Sequence, residues 1–197
     1  MDVKLKNITK SFDGEVKIRN LSYDFPKTGV VAVTGESGVG KTTLARIICG
    51  LDTSFEGVVV GGGLGNVAVA FQEYRLFPSL SALDNVIFAN FDQKTAENTK
   101  LAEELLFELG FEEYETKLKP AALSGGMKQR VSLARAFASK AEVIILDEAT
   151  KELDSALKSK VLEIIARESK RRLVILITHD INEADILGAK TLHLVSP

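Results

Sequence analysis

Residues 29–51 read GVVAVTGESGVGKTTLARIICGL, and this segment is the main evidence in the sequence for the fold class. A short apolar strand at 29–34 is followed by a glycine-rich loop, GESGVGKT, at 35–42. Apolar residues then recur at the spacing of one helix face: Leu44, Ile47, Ile48 and Leu51. The loop fits G-x-x-x-x-G-K-[ST] at every fixed position, which is the pattern of a phosphate-binding P-loop. A strand, such a loop and a helix in this order predict an α/β fold with a nucleotide site.

The residue types in the loop suit triphosphate binding. Gly35, Gly38 and Gly40 let backbone N–H groups turn inward around phosphate oxygens. Lys41 supplies a positive charge to the terminal phosphates, and Thr42 supplies a hydroxyl for Mg²⁺. The predicted nucleotide-binding residues of the loop are Gly35, Glu36, Ser37, Gly38, Val39, Gly40, Lys41, Thr42 and Thr43.

Composition excludes several other classes of protein. The 197 residues include 25 basic and 27 acidic side chains, so the formal charge is −2 and no strong field attracts nucleic acid. A single cysteine, Cys49, excludes a disulfide within the chain and is typical of a reducing cytosol. No apolar run approaches the ~18 residues of a membrane span, so any such span is expected in another chain. The basic residues 170–172 are predicted to be solvated at the end of a helix.

Periodicity outward from the loop predicts one domain over 1–197 with three parts. Residues 1–28 alternate around Asp13-Gly14, a hairpin signal, and predict an antiparallel β lobe in which 21–25 is a further strand. Residues 29–77 and 126–197 alternate buried strands with helices, which predicts a mainly parallel sheet. Residues 78–125 predict a helical insertion. In it, one helix face over 95–110 is predicted to carry Leu101, Leu105, Leu106 and Leu109.

Two carboxylates follow a second buried strand, VIILDEAT, at 143–150. Such a strand projects its last residues into the cleft at the carboxyl edge of the sheet. We expect Asp147 to hold the metal, directly or through a water. Glu148 is the candidate general base, or the residue that orients the attacking water.

A second glycine-containing motif, LSGG, lies at 123–126, far along the chain from the P-loop. Ser124 is a good N-cap residue, and Gly125 and Gly126 would expose backbone donors at the start of a helix over 127–139. One loop already holds the triphosphate of its own nucleotide. A second phosphate-binding motif is therefore best explained if it closes over the nucleotide held by another copy of the chain.

With these motifs the chain resembles the ATP-binding subunits of ABC transporters, over nearly its whole length. LSGG is the signature of that family, and the resemblance gives Met127 a place beside Ser124, Gly125 and Gly126. It also implies roles for four single residues. They are Phe12 (stacking on adenine), Gln72 (sensing Mg²⁺ and the attacking water), His179 (contact with the γ-phosphate) and Asp154 (the loop that crosses to the second subunit). Catalysis would thus rest on Lys41, Gln72, Glu148 and His179, and metal binding on Thr42, Gln72 and Asp147.

Phe12 could also be a core or hairpin aromatic, and Asp154 a simple helix N-cap. Three motifs depart from the family's usual residues. Ala149 stands in place of proline, Lys-Glu-Leu-Asp at 151–154 replaces Ser-Ala-Leu-Asp, and Met127 replaces glutamine. The last two resemble the branch that serves nitrate, sulfonate and taurine importers.

The resemblance implies an ATPase motor in which two copies, or this chain and a related ATPase, enclose two ATP with Mg²⁺ head to tail. Its partners would be integral-membrane permease subunits docking near 73–88, where Tyr74, Leu76 and Phe77 lie, and a solute-binding protein; no nucleic acid is expected. We expect a cytoplasmic protein, peripheral on the inner face of the cell membrane. An importer is favoured because exporters more often fuse membrane helices to this domain. Alternatives are a soluble, non-transport ABC ATPase, an unrelated P-loop GTPase or kinase, and a nucleotide-gated binding module.

Overall fold

The computed structural model of the chain describes residues 2–90 and 94–196. The predicted β lobe and helical insertion include residues 1 and 91–93, which lie outside the described residues. The strands are β1 (Lys4–Phe12), β2 (Glu15–Asp24), β3 (Gly29–Thr34), β4 (Glu56–Val60), β5 (Val67–Ala70), β6 (Val143–Asp147), β7 (Leu173–Ile177) and β8 (Lys190–His193). The α-helices are α1 (Lys41–Ile48), α2 (Ala82–Asn90), α3 (Ala96–Glu108), α4 (Gly125–Ala138), α5 (Ser155–Ser169) and α6 (Ile181–Ile186).

The chain forms two compact units. The first comprises the described residues of Met1–Val69, Ala141–Asp147 and Ile165–Pro197. The second comprises those of Ala70–Lys140 and Glu148–Ile164. Among all described residues, no helix has the length and apolar character that crossing a membrane requires.

The first unit contains an antiparallel sheet with the strand order β2-β1-β4. Asp13 and Gly14 join β1 to β2 with positive φ angles of 48° and 84°, as expected for a tight hairpin. Residues 21–24 continue β2 rather than forming the separate strand that we predicted. The sequence did not predict β4, because Val58 is 55% exposed and the strand shows no alternation of buried and exposed residues.

The five-stranded sheet has the order β5-β6-β7-β3-β8, and all of its strand residues except Ala70 belong to the same unit. Strands β6 and β7 are buried at every residue, as a parallel sheet covered on both faces requires. Val33 and Asp147 both pair with Ile177 in parallel register. The chain segments that follow β3, β6 and β7 therefore leave the sheet at one carboxyl edge.

The second unit is mainly helical. Buried Asn85 on α2 accepts a hydrogen bond of 2.8 Å from the backbone N–H of Phe77 and donates to Phe77, Leu80 and Ser81, so one amide organises the loop before α2. The buried face of α3 differs from the predicted one: Leu101 is 49% exposed. The fully buried residues of α3 and its C-cap are Ala102, Leu106 and Leu109.

Two further expectations in the first unit were wrong. Leu51 lies beyond the end of α1 and is half exposed rather than on its buried face. Arg172, expected in solvent, is buried; it forms an ion pair with Glu168 at 2.5 Å and donates a hydrogen bond of 3.0 Å to the backbone oxygen of Ala141. Burial with a charged partner and a carbonyl acceptor is the arrangement in which a guanidinium is tolerated inside a protein.

Candidate nucleotide-binding site

The P-loop follows β3 and has the backbone that its glycines require. Gly35, Gly38 and Gly40 have φ angles of 143°, 79° and 108°. A Cβ atom on Gly35 would lie 2.4 Å from the backbone oxygen of Leu194, whereas one on Gly38 would meet nothing within 4 Å. At Gly35 the close packing against Leu194 excludes a side chain, whereas at Gly38 only the left-handed backbone conformation favours glycine.

Lys41 lies buried at the centre of this loop. Its Nζ donates hydrogen bonds of 2.9 Å to the backbone oxygen of Gly35 and 2.8 Å to that of Glu36. An ammonium carries three N–H donors, so the same group can also serve a phosphate oxygen. The charge is thereby placed inside the loop rather than on a mobile side chain.

Helix α1 begins directly after the loop. Gly40 is its N-cap and provides no side-chain cap, so the backbone N–H groups of the first turn face the loop. The positive end of the helix dipole favours an anion at this place. Thr42 lies in that first turn and is half-buried.

The donor set suits a hard cation bound together with phosphates. The described residues contain no group of three or more His, Cys, Asp or Glu side chains arranged to hold a metal ion. Asp147, at the end of β6, is 2% exposed and, like Thr42, offers oxygen. Mg²⁺ prefers oxygen ligands and is usually held by one or two carboxylates plus substrate phosphates. These residues therefore fit Mg²⁺ in the presence of a nucleotide.

Phe12 is an exposed aromatic at the end of β1. Its ring is 44% exposed, and Nζ of Lys10 lies 4.7 Å from the ring centroid. Lys10 is itself buried, since its ammonium bonds to Asp52 and to the backbone oxygen of Ser54. Phe12 is therefore an exposed hairpin aromatic rather than a core residue.

An open cleft separates the β1–β2 hairpin from the P-loop. Its lining includes Val16 and Lys17 of β2 together with Gly38 and Val39 of the loop. We did not single out Val16 and Lys17 from the sequence, because nothing in their local pattern indicates that β2 meets the loop.

His179 is exposed directly after β7, and two neighbours shape its segment. The hydroxyl of Thr178 donates a hydrogen bond of 2.6 Å to Glu183, which is 1% exposed, and accepts one of 3.0 Å from the backbone N–H of Asp180. Sequence reasoning missed Thr178 and Glu183. The signal in the sequence was a carboxylate five residues after Thr178, and this spacing is too weak to interpret alone.

Glu148 belongs to the second unit and has a left-handed backbone, with φ 51°. Its Oε2 lies 3.2 Å from Nζ of Lys151. The next residue, Ala149, is fully buried, and its backbone oxygen accepts a hydrogen bond of 3.1 Å from Nε2 of buried Gln129. Alanine in place of proline therefore occupies a packed position.

The signature segment starts α4 in the way that the sequence predicts. The Ser124 side chain caps the helix, accepting a hydrogen bond of 3.2 Å from the backbone N–H of Met127. Asp154 caps α5, accepting one of 2.9 Å from Leu157. Gln72 is exposed in the loop after β5.

The predicted residues divide between the two units. The first unit contains the P-loop, Phe12, Asp147 and His179. The second unit contains Gln72, Glu148, Asp154 and the signature residues 124–127.

Two relatives of known function match most of the chain. The spermidine/putrescine import ATP-binding protein PotA of Thermotoga maritima is 37% identical over 93% of this chain and 53% of its own length. The chain therefore spans about half the length of that relative. The aliphatic sulfonates import ATP-binding protein SsuB of Delftia acidovorans is 37% identical over 98% of this chain and 79% of its own length.

Solved structures agree with the fold. A dimeric structure of a post-hydrolysis state of an ATP-binding cassette, bound to ADP and Pi, superimposes with a TM-score of 0.88 at 31% identity, covering 98% of this chain and 94% of that one. A dimeric bacterial ABC transporter cassette gives a TM-score of 0.87 at 32% identity, with the same coverage. These matches confirm the predicted fold class.

A family model described as ABC transporter matches residues 18–151, which include the P-loop, the signature and Glu148. Together with the relatives, this match shows that the chain belongs to the ABC transporter family.

Proposed function

We propose that the chain is the ATP-hydrolysing motor subunit of an ABC importer. The observation that carries this proposal is the P-loop, where Lys41 lies buried against two loop carbonyls and leads into an uncapped helix end. The names of the relatives, which are import ATP-binding proteins, support the direction of transport.

The residues act as follows. Phe12 stacks on the adenine, the P-loop residues bind the phosphates, and Thr42, Gln72 and Asp147 hold the metal. When bound, Mg²⁺ neutralises phosphate charge and orients the nucleotide. Glu148 accepts the proton of the attacking water or orients it, and His179 donates to the γ-phosphate.

Two copies, or this chain and a related ATPase, enclose two ATP molecules. Each ATP lies between the P-loop of one copy and the signature residues Ser124, Gly125, Gly126 and Met127 of the other, with Asp154 on the crossing loop. The dimeric cassettes among the solved relatives support the pairing of two copies.

The motor acts on integral-membrane permease subunits, which dock near residues 73–88. In that segment the rings of Phe77 and Phe88 pack edge to face, with their centroids 5.1 Å apart. Both residues are exposed, Phe77 by 38% and Phe88 by 66%. An exposed pair of large aromatics is typical of a protein interaction site. The chain would then lie in the cytoplasm on the inner face of the membrane, with a solute-binding protein elsewhere in the complex.

The test is the mass of the Glu148→Gln variant in light scattering, with and without ATP. Loss of the carboxylate blocks turnover while nucleotide binding remains, so we expect ATP to convert monomer to dimer. The matched control is Glu163→Gln, an exposed glutamate on α5, which should hydrolyse ATP like the parent chain. A chain that binds no ATP, or that prefers GTP, would overturn the proposal.

A further inference from the structure

Three segments of the second unit meet at the start of α4. The hydroxyl of Tyr74 donates a hydrogen bond of 2.6 Å to Oε2 of Glu152. A Cβ atom on Gly125 would lie 3.1 Å from that same oxygen and 3.4 Å from the Tyr74 hydroxyl. One on Gly126 would lie 3.6 Å from the backbone oxygen of Glu152. Glu152 therefore lies against both signature glycines.

The contact gives these glycines a role within a single chain. A carbon atom 3.1 Å from an oxygen is closer than ordinary van der Waals contact, so a side chain at Gly125 would require the Glu152 carboxylate to move by a few tenths of an ångström. The absence of a side chain thus lets Glu152 approach, in addition to any role toward a nucleotide.

Electrostatics favours the carboxylate in this position. The amino end of a helix carries a partial positive charge, which stabilises a nearby anion. A nucleotide phosphate carries the same sign of charge and would use the same helix end. The positive end of α4 therefore favours either group, the Glu152 carboxylate or a phosphate.

Tyr74 holds the Glu152 carboxylate in this position. The hydrogen bond to Glu152, with smaller contributions from burial and from the charge of Glu152, raises the pKa of Tyr74 to about 12. The hydroxyl, which is protonated at neutral pH, donates to the carboxylate and holds it toward Gly125.

We propose that Glu152 is a residue that sets the nucleotide affinity of the signature segment: its carboxylate, held by Tyr74, occupies the start of α4 and must leave before a nucleotide phosphate can bind there. This inference rests on the proposed function, because the phosphate in question is that of ATP held by a partner copy. Removing the charge at residue 152 should then make ATP-driven closure easier.

The experiment compares Glu148→Gln with the double variant Glu148→Gln/Glu152→Gln. Light scattering gives the ATP concentration at which half of the protein is dimeric, and equilibrium dialysis of dilute monomer gives the affinity of the P-loop itself. We expect the half-dimer ATP concentration to fall roughly fivefold when the like charge is removed, with the monomer affinity unchanged. Tyr74→Phe in the same background should shift it in the same direction by less, because the carboxylate stays but is no longer held.

Two controls separate charge from structure. Glu113→Gln removes one exposed negative charge, paired with Lys117, elsewhere in the same unit and should leave the half-dimer concentration unchanged. The effect of Glu152→Gln should shrink between about 0.1 M and 1 M salt, where the Debye length falls from about 10 Å to 3 Å. A purely structural bridge would show no such salt dependence.

The outcomes are distinct. An unchanged or higher half-dimer concentration in Glu152→Gln would overturn the role of Glu152 alone. A Glu148→Gln parent that binds ATP but remains monomeric would contradict the ATP-bound dimer of the proposed function, and this inference with it. Failure of every variant, the parent included, to bind ATP would overturn the proposed function itself and this inference with it.

Discussion

The side-chain amide of Gln129 donates a hydrogen bond of 3.1 Å to the backbone oxygen of Ala149. Both residues are buried, and they belong to different functional segments. Gln129 lies on the helix that the signature starts, and Ala149 directly follows Glu148. The helix that carries the signature therefore also holds the backbone that places the candidate base.

The substitution Gln129→Met tests whether this hydrogen bond stabilises the backbone next to Glu148. It replaces the amide by an apolar group of similar size and leaves a buried carbonyl without its donor, which costs about 1–3 kcal/mol. We expect a lower urea midpoint and a lower kcat for ATP, with little change in KM because the P-loop is untouched. Lys128→Met, at the half-exposed neighbouring position of α4, is the matched control. Equal midpoints and equal kcat in the two variants would contradict the assignment.

The motifs were predictable from sequence because each is local. The P-loop, the strand ending at Asp147 and the Ser124 cap depend on a few neighbouring residues whose backbone conformation follows from their types. Contacts between distant segments were not predictable. Nothing near Arg172 in sequence indicates the carbonyl of Ala141 that permits its burial. The pairing of β4 with β1 is likewise a tertiary contact, and the sequence of an exposed strand does not predict it.

Gly35→Ala should be much more damaging than Gly38→Ala. At Gly38 only the left-handed backbone opposes a side chain, with a cost of about 1–2 kcal/mol. At Gly35 the added atom would also collide with the backbone oxygen of Leu194, at 2.4 Å. Urea unfolding of the two variants measures this difference. Equal destabilisation would mean that Leu194 moves aside without cost.

Lys41→Ala should abolish tight ATP binding, and Lys41→Arg should not restore it. The ammonium is buried between two carbonyls of the loop, and a planar guanidinium cannot take the place of a compact charge there. We expect at least a roughly hundredfold loss of affinity in isothermal titration calorimetry, equivalent to about 2.7 kcal/mol. Lys17→Ala, on the wall of the cleft, is the comparison and should lose less. Full binding by Lys41→Arg would contradict this geometry.

Asp154 variants separate its two possible roles. The side chain caps α5 through the backbone N–H of Leu157, and Asn caps a helix about as well as Asp. Asp154→Asn should therefore keep the parent's urea midpoint, whereas Asp154→Ala should lose about 1 kcal/mol. If the charge also serves the crossing loop, Asp154→Asn will still reduce ATP-driven dimerisation. Normal dimerisation by Asp154→Asn would limit the residue to capping.

The Tyr74–Glu152 pair predicts a specific alkaline titration. In the folded chain the pKa of Tyr74 is raised to about 12, first by its hydrogen bond to Glu152. A raised tyrosine pKa means that the neutral form is favoured by folding. The resulting stability is fully present below the unfolded value of about 10 and is lost as the pH rises through the folded value.

Carbon NMR of ¹³Cζ-labelled tyrosine measures this pKa directly, and Tyr74→Phe assigns the resonance. In Glu152→Gln the acceptor loses its negative charge, and a neutral amide oxygen accepts a weaker hydrogen bond, so the pKa of Tyr74 should fall toward the ordinary value of about 10. Tyr23 is an internal control, because burial raises its pKa and it belongs to the first unit. If the pKa of Tyr74 is the same with and without the negative charge at residue 152, the hydroxyl does not hold the carboxylate. The proposal that Tyr74 keeps Glu152 at the start of α4 would then be contradicted.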